Sequence, residues 1–400
     1  MFPRLRFKKF DSDWEKTTIG AKSETVTSGS RDWAQYYSDS GDKFIRMTNL
    51  VRNGINLDLS DLRFVQLPVG SNEGKRTSLE KGDILISITA ELGKLGWIPE
   101  GLGTAYINQH TALVRMKNTL DSKFVAYALS TEKYNNKLNS LNDSGAKAGL
   151  NLGSIRSFEL TIPSKPEQTQ IASFLSVVDE KISQLTQKLE LLSQYKQGMM
   201  QKLFSQQVRF KADDKSEFGE WEEKKLGEIS TTFSGGTPKS TNKKFYQGTI
   251  PFIKSGEISQ KHTEQFINEL ALKESSAKLV KKGDLLYALY GATSGQVAIS
   301  QIDGAINQAV LCIRSNLNTI YLLNFFLWKK DSILSTYLQG GQGNLSAAIL
   351  KEIFVPVPCL EEQTKIANFL SAIDQKIEVV AQQIEQAKQW KKGLLQQMFI

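Results

Sequence analysis

The chain has 400 residues, 40% hydrophobic and 23% charged, with a formal net charge of +8 and a sequence pI of about 9.1. That length allows two or more domains with real cores, and the composition is that of an ordinary globular protein. No apolar run approaches the roughly 18 residues of a membrane span, and the basic N-terminus MFPRLRFKKF lacks the apolar stretch of a signal peptide. The two cysteines, Cys312 and Cys359, are too few for a disulfide framework or a structural zinc site. A cytoplasmic protein with no membrane attachment is the expectation.

In chain order, a mixed α/β domain is predicted over residues 1–163. Trp14 leads to Gly20, and residues 44–47 and 84–88 read as short strands rich in β-branched and aromatic side chains. Lys81-Gly82-Asp83 is a turn feeding the second of these. The run INQHTALVR at residues 107–115 reads as a further strand, residues 122–141 as a helix, and residues 158–163 as a last extended run. A spacer helix over 164–206 follows, then a second domain over 207–358 and a C-terminal spacer helix over 359–400.

The second domain repeats the first. Trp221 leads to Gly227, and Phe252-Ile253-Lys254 matches Phe44-Ile45-Arg46. Lys282-Gly283-Asp284 matches Lys81-Gly82-Asp83, and Ile306-Asn307-Gln308 matches Ile107-Asn108-Gln109. The order is kept while the offset drifts, so the scaffold is shared and the loops differ.

The repeat is sharpest where each helix begins. Residues 167–182 read EQTQIASFLSVVDEKI and residues 362–377 read EQTKIANFLSAIDQKI, with 11 of 16 positions identical at a constant offset of 195. Val178, Ile182, Leu185, Leu189 and Leu192 step by four and three, continuing through Lys196 to Met199. Ile373, Ile377, Val380, Ile384 and, beyond Ala387 and Lys391, Leu394 repeat the steps. Each is a heptad seam interrupted by one lysine, on a helix of about 39 residues and roughly 58 Å. Two equal seams pair most simply with each other within the chain, giving a twofold-like frame; the alternative is that each helix packs on its own domain.

The charge excess lies outside these helices. Residues 1–160 carry 22 basic and 18 acidic residues and residues 206–355 carry 18 and 15, against 5 and 4 over 161–205 and 5 and 5 over 356–400. Basic domains joined by near-neutral helices suit a polyanionic partner.

Catalytic constellations are missing from the sequence. The two histidines fall at different places in the repeat, and His110 has Ala309 as its counterpart. There is no HExxH, no GxSxG and no Cys/His metal spacing. The glycine-rich Gly340-Gly341-Gln342-Gly343-Asn344 comes closest to a phosphate cradle but lacks the following Lys-Ser/Thr, and its counterpart at 144–149 differs. Binding is the reading that remains. Lysine and arginine neutralise phosphates, and Ser, Thr, Asn and Arg also read base edges. In the first domain the candidates are Ser30, Arg31, Arg46, Thr48, Asn49, Lys75 and Arg76. In the second they are Thr237, Lys239, Lys243, Lys244, Lys254 and Ser255.

With Glu-Gln-Thr-x-Ile-Ala-x-Phe-Leu at residues 167–175 and 362–370, the paired Trp–Gly openings, the Gly-Asp turns and the Asn-Gln strands, the chain resembles the specificity (S) subunits of type I restriction–modification systems. The resemblance covers essentially the whole chain. It implies an α+β fold: two homologous target recognition domains joined by two long helices in an intramolecular antiparallel coiled coil with pseudo-twofold symmetry. It further implies that each domain reads half of a split, asymmetric site in double-stranded DNA, and that the helices set the half-site spacing. Two modification subunits would dock on the helices and methylate adenine, and restriction subunits would add translocation and cleavage. No cofactor is expected in this chain; AdoMet, ATP and Mg are expected on the partner subunits. The first domain has Ser28-Gly29-Ser30 where the second has the more family-like Ser234-Gly235-Gly236-Thr237-Pro238. An unpartnered DNA-binding scaffold, or a nuclease with an unrecognised active site, are the other readings.

Overall fold

A computed structural model describes residues 3–141, 149–337 and 345–399. Residues 144–148 and the glycine-rich stretch Gly340 to Asn344 lie outside them. The chain forms two compact units, one of Met1–Leu185 with Gln383–Ile400, the other of Thr186–Gln382. Among the described residues no helix is long and apolar enough to cross a membrane.

The first unit holds two four-stranded sheets. One is antiparallel, in the order Ser23–Ser28, Thr111–Met116, Ile84–Ser87, Leu95–Trp97. The other places Asp42–Ile45 parallel to Ala105–Ile107, with Ile45 opposite Ile107. A two-stranded ribbon of Glu15–Thr18 and Glu159–Ile162 closes the domain. The second unit repeats this plan. Ser230–Ser234, Val310–Ser315, Leu285–Ala288 and Val297–Ile299 form its antiparallel sheet, and Ile250–Ile253 runs parallel to Gly304–Ile306 with Ile253 opposite Ile306. The closing ribbon pairs Glu222–Lys225 with Phe354–Val357.

Two expectations are corrected. Residues 107–115 are not one strand: the run breaks at Asn108-Gln109-His110 and its two parts enter different sheets. Asn108 makes the break, its Oδ1 accepting from His110 N at 3.1 Å and its carbonyl from Thr111 N at 3.2 Å. The helix expected over 122–141 is two, Ser122–Ser130 and Glu132–Ser140, because the Thr131 hydroxyl accepts from Tyr134 N and caps the second.

The Gly-Asp turns acquire a physical reason. Gly82 and Gly283 have φ of +90° and +96°, a region favouring glycine. The aspartate that follows grips an arginine on the neighbouring strand. Arg115 donates twice to Asp83 at 2.8 Å, and Arg314 donates to Asp284 at 3.0 and 2.7 Å. Burial alone would raise the Asp284 carboxyl; its bonds from Arg314 and from Lys281 N leave it below its ordinary value.

The spacer helices run Lys165–Phe204 and Leu360–Met398. The Glu-Gln pair at each start faces inward. Glu167 is fully buried and takes two bonds of 2.7 Å from Arg6. Glu362 is equally buried, taking 3.1 and 2.7 Å bonds from Arg209 and one of 2.8 Å from Trp221 Nε1. Gln168 donates to Pro163 O and accepts from Asp121 N; Gln363 does the same with Pro358 O and Asn318 N. Each motif therefore clasps its helix to the closing strand and the neighbouring helix of its own domain.

Both alternatives for the helix seams hold together. In the first unit Ile171, Ala172, Leu175 and Val178 join the domain core, and so do Leu394, Met398 and Phe399 from the end of the other helix. In the second unit Ile366, Ala367, Leu370 and Ile373 share a core with Met200, Leu203 and Phe204. Within each unit the start of one helix thus lies beside the end of the other, which is antiparallel pairing. Of the seam, Val178, Leu185, Ile373, Val380, Ile384 and Leu394 are buried and Ile182, Leu189, Leu192 and Ile377 half-buried.

Candidate nucleic-acid interface

The break at Asn108 and the parallel strand pair together build a row of polar groups at one end of the first unit. The first strand of the antiparallel sheet ends at Ser28, and Gly29 then passes so close to the neighbouring chain that a Cβ would lie 2.2 Å from Ile107 O. Only glycine fits. Ser30 bridges to Asn108, and Gln109 N donates to Ser30 O at 3.1 Å. Because Ile45 and Ile107 are parallel partners, Arg46 and Asn108 leave adjacent strands at the same end. His110 stands next in the row, half-buried, its Nδ1 2.8 Å from Thr89 Oγ1 and its Nε2 3.0 Å from Gln109 Nε2.

The second unit builds the same row from different side chains. Gly235 lies where a Cβ would be 1.7 Å from Ile306 O. Thr237 Oγ1 donates to Gln308 Oε1 at 2.5 Å. Lys254 and Asn307 follow the parallel partners Ile253 and Ile306. Ala309 replaces His110, and Tyr290 stands on the hairpin that carries Thr89 in the first unit. This places Ser28-Gly29-Ser30 and Ser234-Gly235-Gly236 at equivalent points of the fold.

The predicted residues divide into exposed groups and groups committed to the fold. Arg31, Thr48 and Lys75 are exposed in the first unit, as is Arg76, whose Nη1 donates to Thr27 Oγ1 at the end of the first strand. Arg46 is half-buried and ion-paired with Asp61 at 2.7 Å. Asn49 is 1% exposed: its Oδ1 accepts from Arg46 N, and its Nδ2 donates to Asp58 O and Asp61 O. Its amide holds the turn and has nothing left to offer a base, which removes it from the candidate surface. In the second unit Glu257 does the same work, accepting from Lys254 N and Glu264 N. Thr237, Lys239, Lys243 and Lys244 are exposed, and Lys254 and Ser255 are half-buried. Lys243 and Lys244 lie on a short turn held by the bond from Asn268 Nδ2 to Lys244 O and by Tyr246 OH donating to Pro238 O at 2.7 Å.

Behind the first row Trp33 stacks on Tyr106 at 5.2 Å and packs on Phe44 at 4.9 Å, a rigid apolar backing. Burial pushes the Tyr106 phenol above its ordinary value, and Asp42 adds to the rise. Sequence reasoning missed Asn108, Gln109, Thr89, Asn307 and Gln308 as candidate site residues. Their signal was present, since Ile-Asn-Gln recurs in both repeats, but it reads there as a strand.

The arrangement offers hydrogen-bonding side chains on fixed strand ends, flanked by exposed cations, which is the chemistry of base-edge and phosphate contacts. Comparison with known proteins places it. The profile of the type I restriction modification DNA specificity domain matches residues 12–194 and 219–389. The putative type I restriction enzyme MjaX specificity subunit of Methanocaldococcus jannaschii is 28% identical over 418 residues, covering 98% of this chain and 94% of that one. The EcoR124I/EcoR124II specificity subunit of Escherichia coli is 25% identical over 225 residues, 53% of this chain and 54% of that one. In fold, the S subunit of a type I restriction-modification system from M. genitalium superposes with a TM-score of 0.63 at 17% identity, covering 100% of this chain and 99% of that one. The duplicated domains, the paired helices and the two profile matches agree, and this chain belongs to the type I restriction modification DNA specificity domain family.

Proposed function

We propose that this chain is the DNA-reading subunit of a type I restriction–modification complex, each domain recognising one half of a bipartite site through its strand-end row. The observation that carries this reading is the duplicated row itself. Backbone positions recur, while the side chains on them differ: His110 against Ala309, Thr89 against Tyr290. A shared scaffold with unlike side chains is what reading two different half-sites requires. The work of catalysis falls to partners: AdoMet on two modification subunits, ATP and Mg on restriction subunits. The setting is the cytoplasm, where the chain's DNA lies.

The row and the exposed lysines make separable predictions. Replacing Thr237 and Gln308 with alanine relaxes one half of the recognised sequence and leaves the other intact, at about 1–3 kcal/mol of discrimination for a good base contact. Replacing Lys243 and Lys244 with alanine weakens binding to all sequences and lowers the salt slope by about 2. Mapping methylated adenines in cells expressing each variant with its modification subunit reads the first effect, and binding titrations across salt read the second. Unchanged motif halves in the Thr237/Gln308 variant would remove the row from recognition.

For docking, each unit presents a repeat-equivalent aromatic set on its helices. Phe174 packs edge-on against Phe7 at 5.9 Å and Trp390 at 6.0 Å, and Trp390 is 55% exposed. In the second unit Phe369 packs on Phe210 at 5.6 Å, and Tyr195, the counterpart of Trp390, is 52% exposed. Two such patches suit two copies of one partner. Trp390→Ser is expected to release one modification subunit and Tyr195→Ser the other, each lowering the partner count from two to one in native mass spectrometry. Retention of both subunits in both variants would place docking elsewhere.

A further inference from the structure

The lysine that interrupts each apolar seam has a partner. Lys391 Nζ lies 2.5 Å from Asp179 Oδ1 in the first unit, with the two side chains 13% and 10% exposed. Tyr127 OH donates to the other carboxylate oxygen at 2.8 Å, and its ring lies 5.6 Å beneath the ammonium. In the second unit Lys196 Nζ lies 2.6 Å from Asp374 Oδ1, the side chains 14% and 47% exposed. Each helix thus carries an aspartate and, 17 residues later, a lysine, and each lysine pairs with the aspartate of the other helix.

Apolar knobs are poor at distinguishing one register from the next, because sliding a seam by a heptad again sets apolar side chains against apolar side chains. Charges on the seam are not interchangeable in that way. A slip by one heptad, about 10 Å at 1.5 Å per residue, would leave two half-buried ammonium groups and two carboxylates without partners. Parallel pairing would set aspartate against aspartate and lysine against lysine. One antiparallel register satisfies both pairs. Fixing register is the best-attested use of a buried ion pair, which otherwise adds little to stability.

We propose that Asp179–Lys391 and Asp374–Lys196 are positioning residues that fix the register of the spacer helices and, through it, the distance between the half-sites that one molecule accepts. The second clause rests on the reading that the helices set half-site spacing; the first does not.

The test uses the full chain with its modification subunit. Asp179, Lys196, Asp374 and Lys391 are all replaced with leucine, with Tyr127→Phe added so that no buried phenol is left unpaired. Spin labels at Lys181 and Lys388, both exposed, report register in a Cys359→Ser background. The expected variant melts no lower than the parent but shows more than one inter-label distance, because a one-heptad slip displaces the labels by about 10 Å along the helix axis. It also methylates sites whose gap differs by about three base pairs at 3.4 Å each. A single distance equal to the parent's overturns the lock. A split distance with one unchanged gap upholds the lock and sinks the ruler. Charge reversal keeps the question open to a second route: Asp179→Lys is expected to break pairing in the first unit, Lys391→Asp to restore it, and Lys196→Asp not to. Rescue by Lys196→Asp instead of Lys391→Asp would also overturn the assignment.

Discussion

Replacing Glu362 with alanine is expected to lower the melting temperature of the second unit by roughly 10 °C while the first unit melts as before. Glu362 is fully buried and accepts from Arg209 twice and from Trp221 once. Removing one member of a buried ion pair costs about 3–5 kcal/mol, because the other charge is left uncompensated. In a unit of 150–250 residues each kcal/mol moves the midpoint by about 2–4 °C. The loss is local, since the clasp ties the start of the C-terminal helix to its own domain. Glu167→Ala is expected to act the same way on the first unit but by less. There Arg6 is the partner and Trp14 Nε1 makes no bond to the glutamate; it is buried without a hydrogen-bond partner among the described residues. Calorimetry resolving two transitions reads both effects, and equal shifts of both transitions in either variant would contradict the assignment of one clasp to each unit.

The second large effect is steric. In Gly235→Ala the new Cβ would sit 1.7 Å from Ile306 O, a backbone atom, so the two chain segments must separate. Overpacking that moves backbone costs about 1–3 kcal/mol, and here the displaced residues are Asn307 and Gln308. The expected result is a folded protein that still reads the first half-site and no longer reads the second. Gly29→Ala mirrors it, with 2.2 Å to Ile107 O and loss of the first half-site. Methylation maps of the two variants distinguish them, and loss of both halves in either would show that the rows do not act separately.

How far the sequence led can be judged from particular residues. The helices were legible because identity between the two motifs and a four-three apolar spacing are local signals that tertiary context rarely overturns. The Gly-Asp turn was legible for the same reason. The fate of Asn108-Gln109-His110 was not. Alone these residues look like part of a strand, and the break appears only because residues 105–107 pair in parallel with a strand some 60 positions earlier. Asn49 shows the opposite failure: asparagine on a loop beside arginine suggests base reading, but burial is a property of the fold and not of the residue type. Lys196 and Lys391 were visible as interruptions, and their meaning was not, since Asp374 lies 178 residues from Lys196 in sequence. Glu167 and Glu362 stood out as repeated residues without any sign that both are fully buried.

We infer that one domain serves one half-site and that the helix pair joins the two at a set distance. The most direct test replaces residues 1–160 with the corresponding domain of another member of the family and maps methylated adenines in cells supplying the modification subunit. The expected result is a bipartite motif in which one half is new while the other half and the gap between them are unchanged. A motif altered in both halves, or in neither, would contradict it.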